Sequence, residues 1–218
     1  MFANLRLSAL RAPNTARLMS SSSSANKRSL ADKVAVVTAS TDGIGFAVAR
    51  RLAKDGARVV VSSRSVFTRY LRPFQPFVRR KRENVEKAVQ TLQSEGLTVS
   101  GVVCHVSKHE DRKRLLDQAL KDFGAVDILV SNAAVNPAFG LFLDVFFLSS
   151  LPYLSLTSVS FQTSEDAFDK ILSLNVKSAF MLTKEFVPHI RRNGSIVYMS
   201  SIGAYQPFAL IGAYSVAK

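Results

Sequence analysis

The chain has 218 residues, enough for one domain with a tail, and its 47% apolar and 21% charged content is that of a globular protein rather than a wholly disordered one. One cysteine excludes a disulfide framework, and with only three histidines no metal site is expected. The formal charge of +13 would suit a nucleic-acid binder, but twelve of those charges lie in two acid-free stretches, residues 1–31 and 64–82. The remainder is close to neutral, whereas nucleic-acid folds spread basic residues over a folded face among stacking aromatics, so no nucleic-acid partner is expected.

The first stretch spaces Arg6, Arg11, Arg17, Lys27 and Arg28 among Phe2, Leu5, Leu7, Leu10 and Leu18 and carries a serine run at 20–24. An Arg-rich, Ser-rich, acid-free terminus reads as a mitochondrial-type transit segment, with an untargeted tail as the alternative. It holds no secretory-type apolar run, and the lone Cys104 agrees with a reducing compartment. From residue 32 to 218 short apolar runs alternate with helical periodicity, the pattern of a parallel α/β domain.

Strands are predicted at 34–38, 59–62, 98–104, around 128–130 and at 195–200. Helices are predicted after the Gly-bearing turn, with Ile44, Val48 and Leu52 on one face, at 83–95, at 110–123 and, as one long helix, from 165 to about 190. Gly56 and Gly96 are placed to end the first two helices. Two stretches break the rhythm, a basic aromatic run at 65–81 and an uncharged Ser- and Phe-rich run at 145–162. Both read as inserted loops. Five serines, a threonine and Pro152 argue against a membrane span in the second, so no transmembrane segment is expected.

The first strand runs into Thr38-Ala39-Ser40-Thr41-Asp42-Gly43-Ile44-Gly45 and then directly into a helix. Glycines in such a turn let backbone approach a pyrophosphate, which the helix N-terminus attracts through free N–H groups and its dipole. Thr38, Ser40, Gly43, Ile44 and Gly45 are therefore candidate cofactor contacts. Nineteen residues beyond Gly45 the second strand ends in Ser63-Arg64. An acid there would hold the adenosine 2′-hydroxyl of NAD, whereas an arginine accommodates the 2′-phosphate of NADP, so the expected cofactor is NADP(H).

Toward the end of the chain, Ser201 follows the fifth strand and Tyr214 and Lys218 lie four apart, one helical turn, on a predicted helix face. A phenol near its reference pKa of about 10 exchanges protons poorly at neutrality, and an adjacent ammonium favours the phenolate. Cys104, His105 and His109 suggest a metal only superficially, because strand alternation sends the first two to opposite faces.

These motifs resemble those of the short-chain dehydrogenase/reductases over residues 33–64, 83–144 and 163–218. TASTDGIGFAVARRLAKDGARVVVSSR, VCHVSKHEDR and ILVSNAAVNPAFG are similar to the NADP-dependent retinal and carbonyl reductase branch. The resemblance implies a Rossmann-like, doubly wound parallel sheet and NADPH-dependent reduction of a small carbonyl substrate (a ketone, an α-dicarbonyl or retinal) in a homotetramer. It implies that Tyr214 gives a proton to the substrate oxygen, Ser201 orients that oxygen, and Lys218 binds the nicotinamide ribose. Asn175, which the residues alone read as a buried helix asparagine, would hold a relay water. Ser131-Asn132-Ala133-Ala134 resembles the family's NNAG, adding Asn132 and Ala133 to the cofactor contacts.

Three positions depart from the pattern: Ala39 and Ala134 replace glycines, and His105 replaces an aspartate beside the adenine. The Cβ of Ala39 is expected to hold its turn at φ < 0. The family continues past Lys218 with two more strands, so a sheet of five strands in order 3-2-1-4-5, open beyond the fifth, is expected. A terminal carboxylate on Lys218 would partly cancel its ammonium. The alternative function is therefore a catalytically inactive family member that keeps only a nucleotide-binding or interaction role. Family members are mitochondrial or peroxisomal.

Overall fold

A computed structural model describes residues 29–64, 83–137, 163–206, 208 and 211–218. The loops expected at 65–81 and 145–162, and all but the end of the transit-like segment, lie outside the described residues. Among the described residues no helix is long and apolar enough to cross a membrane.

The elements follow in the order β1 (Val34–Val37), α1 (Gly43–Lys54), β2 (Arg58–Ser63), α2 (Glu83–Ser94), β3 (Val99–Val103), α3 (His109–Phe123) and β4 (Val126–Ser131). Then come α4 (Glu165–Ile171), a π turn (Leu172–Lys177), α5 (Ser178–Phe186), β5 (Ile190–Tyr198) and a short α6 (Gly212–Val216). All strand pairs are parallel, and the sheet order is β3-β2-β1-β4-β5, as the family resemblance implies.

Strand alternation divides the core into two layers, because successive β side chains face opposite sides of the sheet. Ala35, Val37, Val59, Val61 and Val130 pack with Ala49 and Ala53 of α1 and Leu92 of α2. Val36, Val60 and Leu129 pack with Leu115, Leu116 and Ala119 of α3 and Leu182 and Phe186 of α5. Helices thus cover both faces, which is why β1 and β2 read as continuous apolar runs. Leu30, inside the expected transit-like segment, packs against the first layer, and its N–H bonds the Asp55 carbonyl at 2.9 Å.

Three local expectations are corrected. The face of α1 that is buried carries Gly45, Ala49 and Ala53, with Val48 and Leu52 partly buried; Ile44 is 66% exposed. Small residues let α1 lie close to the sheet, and helical phase then turns Ile44 outward. The long helix expected from 165 to 190 is interrupted by the π turn and ends in a 3₁₀ turn containing Pro188, so β5 already starts at Ile190. β5 also carries a bulge: Val126 pairs with Ile190 but Ile128 with Ser195, and Asn193 takes φ +69°.

The lower end of the sheet is tied by Asp127, whose side chain is 2% exposed. Its carboxylate accepts from the Val34 amide at 2.7 Å, from Lys33 Nζ at 3.4 Å and from Arg191 Nε at 2.8 Å. Burial works against the charge, yet the Arg191 hydrogen bond and the Val34 amide together hold the carboxyl below its usual pKa.

Candidate cofactor and active site

At the carboxyl end of β1 the turn into α1 is built from inside. Thr38 is fully buried. Its Oγ1 accepts from the amides of Asn132 (2.9 Å) and Ala133 (3.1 Å), joining the turn to the end of β4. Asn132 Nδ2 donates to the carbonyls of Thr38 and Ala39, each at 3.0 Å. Ser40, also fully buried, donates through Oγ to the Val37 carbonyl at 2.6 Å and accepts from the Ser62 amide at 2.9 Å. Both hydroxyls are spent on the framework, so Thr38 and Ser40 shape the turn from beneath.

Ala39 corrects the expectation of φ < 0, for it adopts φ +50°, the left-handed region that favours glycine. The Ser40 and Asn132 bonds on either side of it hold the backbone there. Gly43 is also left-handed, at φ +57°, and a Cβ on it would meet nothing within 4 Å. Gly45 has a steric role: a Cβ would stand 2.5 Å from Asn132 Nδ2 and well inside contact distance of the Ala39 carbonyl. Asp42 caps α1 by accepting from the Gly43 amide at 2.7 Å. The first-turn amides of this twelve-residue helix have no carbonyl inside it to pair with.

One cleft, of about 300 Å³, is lined by Ala39, Arg64, Cys104, His105, Val106, Ala133, Ala134 and Leu174. The β2–β3 register sets it up, because Ser63 pairs with Val103 and the Cys104 amide bonds the Ser63 carbonyl at 3.1 Å. Arg64 and Cys104-His105 thus leave neighbouring strands side by side. Ser63 is itself buried, and its Oγ donates to the Arg64 carbonyl at 3.1 Å. Partial burial lowers the pKa of the Arg64 guanidinium from its ordinary value. Both Cys104 and His105 line this cleft; Cys104 is buried with Val102 in the core layer under α3, as alternation expects, while His105 stands outside that layer. Burial, chiefly, with the neighbouring carboxylate of Asp111, pushes the Cys104 thiol up to about 12.

A second cleft, of about 370 Å³, is lined by Ser131, Ala133, Asn175, Ala179, Tyr198, Met199, Ser200, Ala217 and Lys218. Ala133 lines both, so the two clefts abut along the carboxyl edge of the sheet. Asn175 stands within the π turn. Its Oδ1 accepts from the Val135 amide at 2.8 Å and its Nδ2 donates to the Val135 carbonyl at 2.9 Å. Lys218 Nζ donates to the Met199 carbonyl, its own carbonyl accepts from Ser200 Oγ at 2.9 Å, and burial lowers its pKa. Tyr198, unforeseen in the sequence, meets Thr183 hydroxyl to hydroxyl at 2.5 Å. Only its place near the end of an apolar strand could have flagged it.

Ser201 and Tyr214 are not among the residues lining this cleft. Ser201 caps a 3₁₀ turn, its Oγ accepting from the Gly203 amide at 3.1 Å. α6 ends at Val216, and the expected helical face shared by Tyr214 and Lys218 is corrected: Lys218 lies beyond the helix. One helical turn is a costly nucleus with little propagation to repay it. Ala213 and Ala217 anchor it on Ile171 of α4.

A family model described as "Enoyl-(Acyl carrier protein) reductase" matches residues 38–218. The chain belongs to the short-chain dehydrogenase/reductase family. Within that family it is 50% identical over 202 residues to dehydrogenase/reductase SDR family member 4 of Bos taurus, covering 92% of this chain and 60% of the relative. The Homo sapiens protein of the same name is 48% identical over 210 residues, covering 95% and 63%. Human SDR family member 2, described as mitochondrial, is 45% identical over 201 residues, covering 92% and 60%. The chain thus spans about 60% of the length of these short-chain dehydrogenase/reductase relatives. A short-chain dehydrogenase from Burkholderia cenocepacia in complex with NADP superposes with TM-score 0.66 at 25% identity, over 87% of this chain and 64% of that one. A Caenorhabditis elegans short-chain dehydrogenase/reductase with cofactor gives 0.67 at 26%, over 87% and 60%.

Proposed function

We propose that this chain carries the cofactor-binding and catalytic portion of an NADPH-dependent reductase of ketones, α-dicarbonyls or retinal. The observation that carries the reading is the abutment of the two clefts at Ala133, with Arg64 at one end and Asn175 and Lys218 at the other. The donor set suits a phosphorylated nicotinamide dinucleotide. Open space over Gly43 and the α1 amides fit the pyrophosphate, Arg64 the 2′-phosphate, and Asn132 and Ala133 border the middle. NADPH supplies the hydride when bound.

The chain's own residues would supply the rest. Tyr214 gives its proton to the carbonyl oxygen, and the Ser201 hydroxyl donates a hydrogen bond to that oxygen while its own oxygen holds the Gly203 amide. Lys218 holds the ribose hydroxyls, and Asn175 keeps the π turn and residue 135 in place beside it. Homotetramer assembly and mitochondrial targeting by residues 1–31, with the peroxisome as the other destination, complete the proposal.

One observation favours a second reading, a nucleotide-binding chain without turnover: Ser201 and Tyr214 stand outside the lining of the cleft that holds Asn175 and Lys218. NADPH oxidation with an α-dicarbonyl separates the two. Turnover abolished in Tyr214→Phe supports the reductase, whereas NADPH binding with no turnover supports the silent chain. Tighter binding of NAD than of NADP would refute the role of Arg64.

A further inference from the structure

The proposal concerns His105 and rests on the reading of Arg64 as the 2′-phosphate contact. We infer that His105 is a second specificity residue of the nucleotide cleft, taking up a proton when a 2′-phosphorylated adenosine binds and so favouring the phosphorylated cofactor increasingly toward acid pH. Three observations place it there. His105 and Arg64 line the same cleft, set side by side by the Ser63–Val103 register, and the Arg64 charge acts on the imidazole. Its backbone is fixed, the His105 amide donating to Asp111 Oδ2 at 2.8 Å. Its Nδ1 is engaged by Ser107 Oγ at 2.8 Å, which leaves Nε2 as the ring nitrogen that can meet a ligand.

The groups around the ring define its electrostatics. Arg64 from the end of β2 and Lys108 from the turn before α3 are cationic, and Asp111 of α3 is the opposing carboxylate. Burial first, then the charges of Arg64 and Lys108, hold the imidazole below its ordinary pKa. A phosphate dianion on Arg64 reverses the balance by offsetting that guanidinium and attracting an imidazolium. The folded chain then gains a proton on binding. By linkage, the extra affinity is complete below the free-state pKa and vanishes as pH rises through the bound-state pKa. A rise of about one unit on binding corresponds to about tenfold tighter binding at the acid end.

The test needs no turnover. The 218-residue chain is titrated calorimetrically with adenosine 2′,5′-bisphosphate and with 5′-AMP between pH 5.5 and 8.5, in buffers of different ionisation heat, while ring-proton NMR follows the three histidines. His105→Gln assigns the resonance and removes the titration. Support is a His105 pKa raised by the bisphosphate and not by 5′-AMP, with the acid-to-alkaline affinity ratio about tenfold smaller in His105→Gln. The ligand phosphate's own ionisation affects both proteins equally and cancels in that comparison. Arg64→Ala should raise the free-state pKa of His105 and abolish the ligand-induced rise. If the bisphosphate is preferred but both proteins share one pH profile, the His105 inference is overturned and the Arg64 reading survives. If the bisphosphate binds no better than 5′-AMP at any pH, both fall.

Discussion

Ala39→Gly should make this protein more stable. Ala39 sits at φ +50°, where a Cβ costs about 1–2 kcal/mol, and glycine removes that cost. Glycine also frees the unfolded chain, giving back about 0.5–1 kcal/mol. The net gain is about 0.5–1 kcal/mol, a rise in Tm of about 1–4 °C for a domain of this size. Two companion substitutions in the same turn separate conformation from contact. Gly43→Ala adds a Cβ at φ +57° with nothing within 4 Å, so it should lower stability by about 1 kcal/mol through backbone strain alone. Gly45→Ala has no such φ but drives its Cβ into the Ala39 carbonyl and Asn132 Nδ2, and should cost about 1–3 kcal/mol and loosen the turn. Urea unfolding followed by far-UV circular dichroism measures all three. A lowered midpoint for Ala39→Gly, with Gly43→Ala unchanged, would refute the argument that this turn stores left-handed strain.

Other consequences can be checked on the same protein. Asn175→Ala removes both bonds to residue 135 and should cost about 1–3 kcal/mol, with faster hydrogen exchange at the Val135 amide. Asp127→Asn weakens the tie to Arg191 and should destabilise by about 2 kcal/mol at pH 7. Because the folded-state pKa of Asp127 is depressed, its contribution is present above the ordinary carboxylate pKa near 4 and lost as pH falls through the folded value. The gap between wild type and Asp127→Asn in urea unfolding should therefore close between about pH 5 and the acid limit. With its thiol pushed up to about 12, Cys104 should resist iodoacetamide at pH 8 in the folded chain and react on unfolding.

Much of this architecture can be read from the order of residues. Strand positions and the β1–α1 turn follow from apolar runs and from the glycines at the strand–helix junction, while the sheet order follows from the resemblance to the short-chain dehydrogenase/reductases. Those signals are local: a buried parallel strand needs several β-branched residues in succession, and a helix packed on it needs small ones at helical spacing. Thr38 and Arg64 could be picked out from their places at the ends of the first two strands, and Asn132 and Asn175 from the family resemblance. The places where reading along the chain fell short share a physical cause, because each depends on a partner remote in sequence. Nothing in Leu172–Lys177 announces a π turn; it is seen only once Asn175 meets the backbone of Val135. Ala39 is left-handed because Ser40 and Asn132 hold the backbone on either side of it. Arg64 and His105 share a cleft because the β2–β3 register sets the two strand ends side by side, and Lys218 leaves its helix where Met199 and Ser200 bind it. Local order set the elements and their sequence, while side-chain bonds to distant backbone set where each element ends and which groups come to face one another.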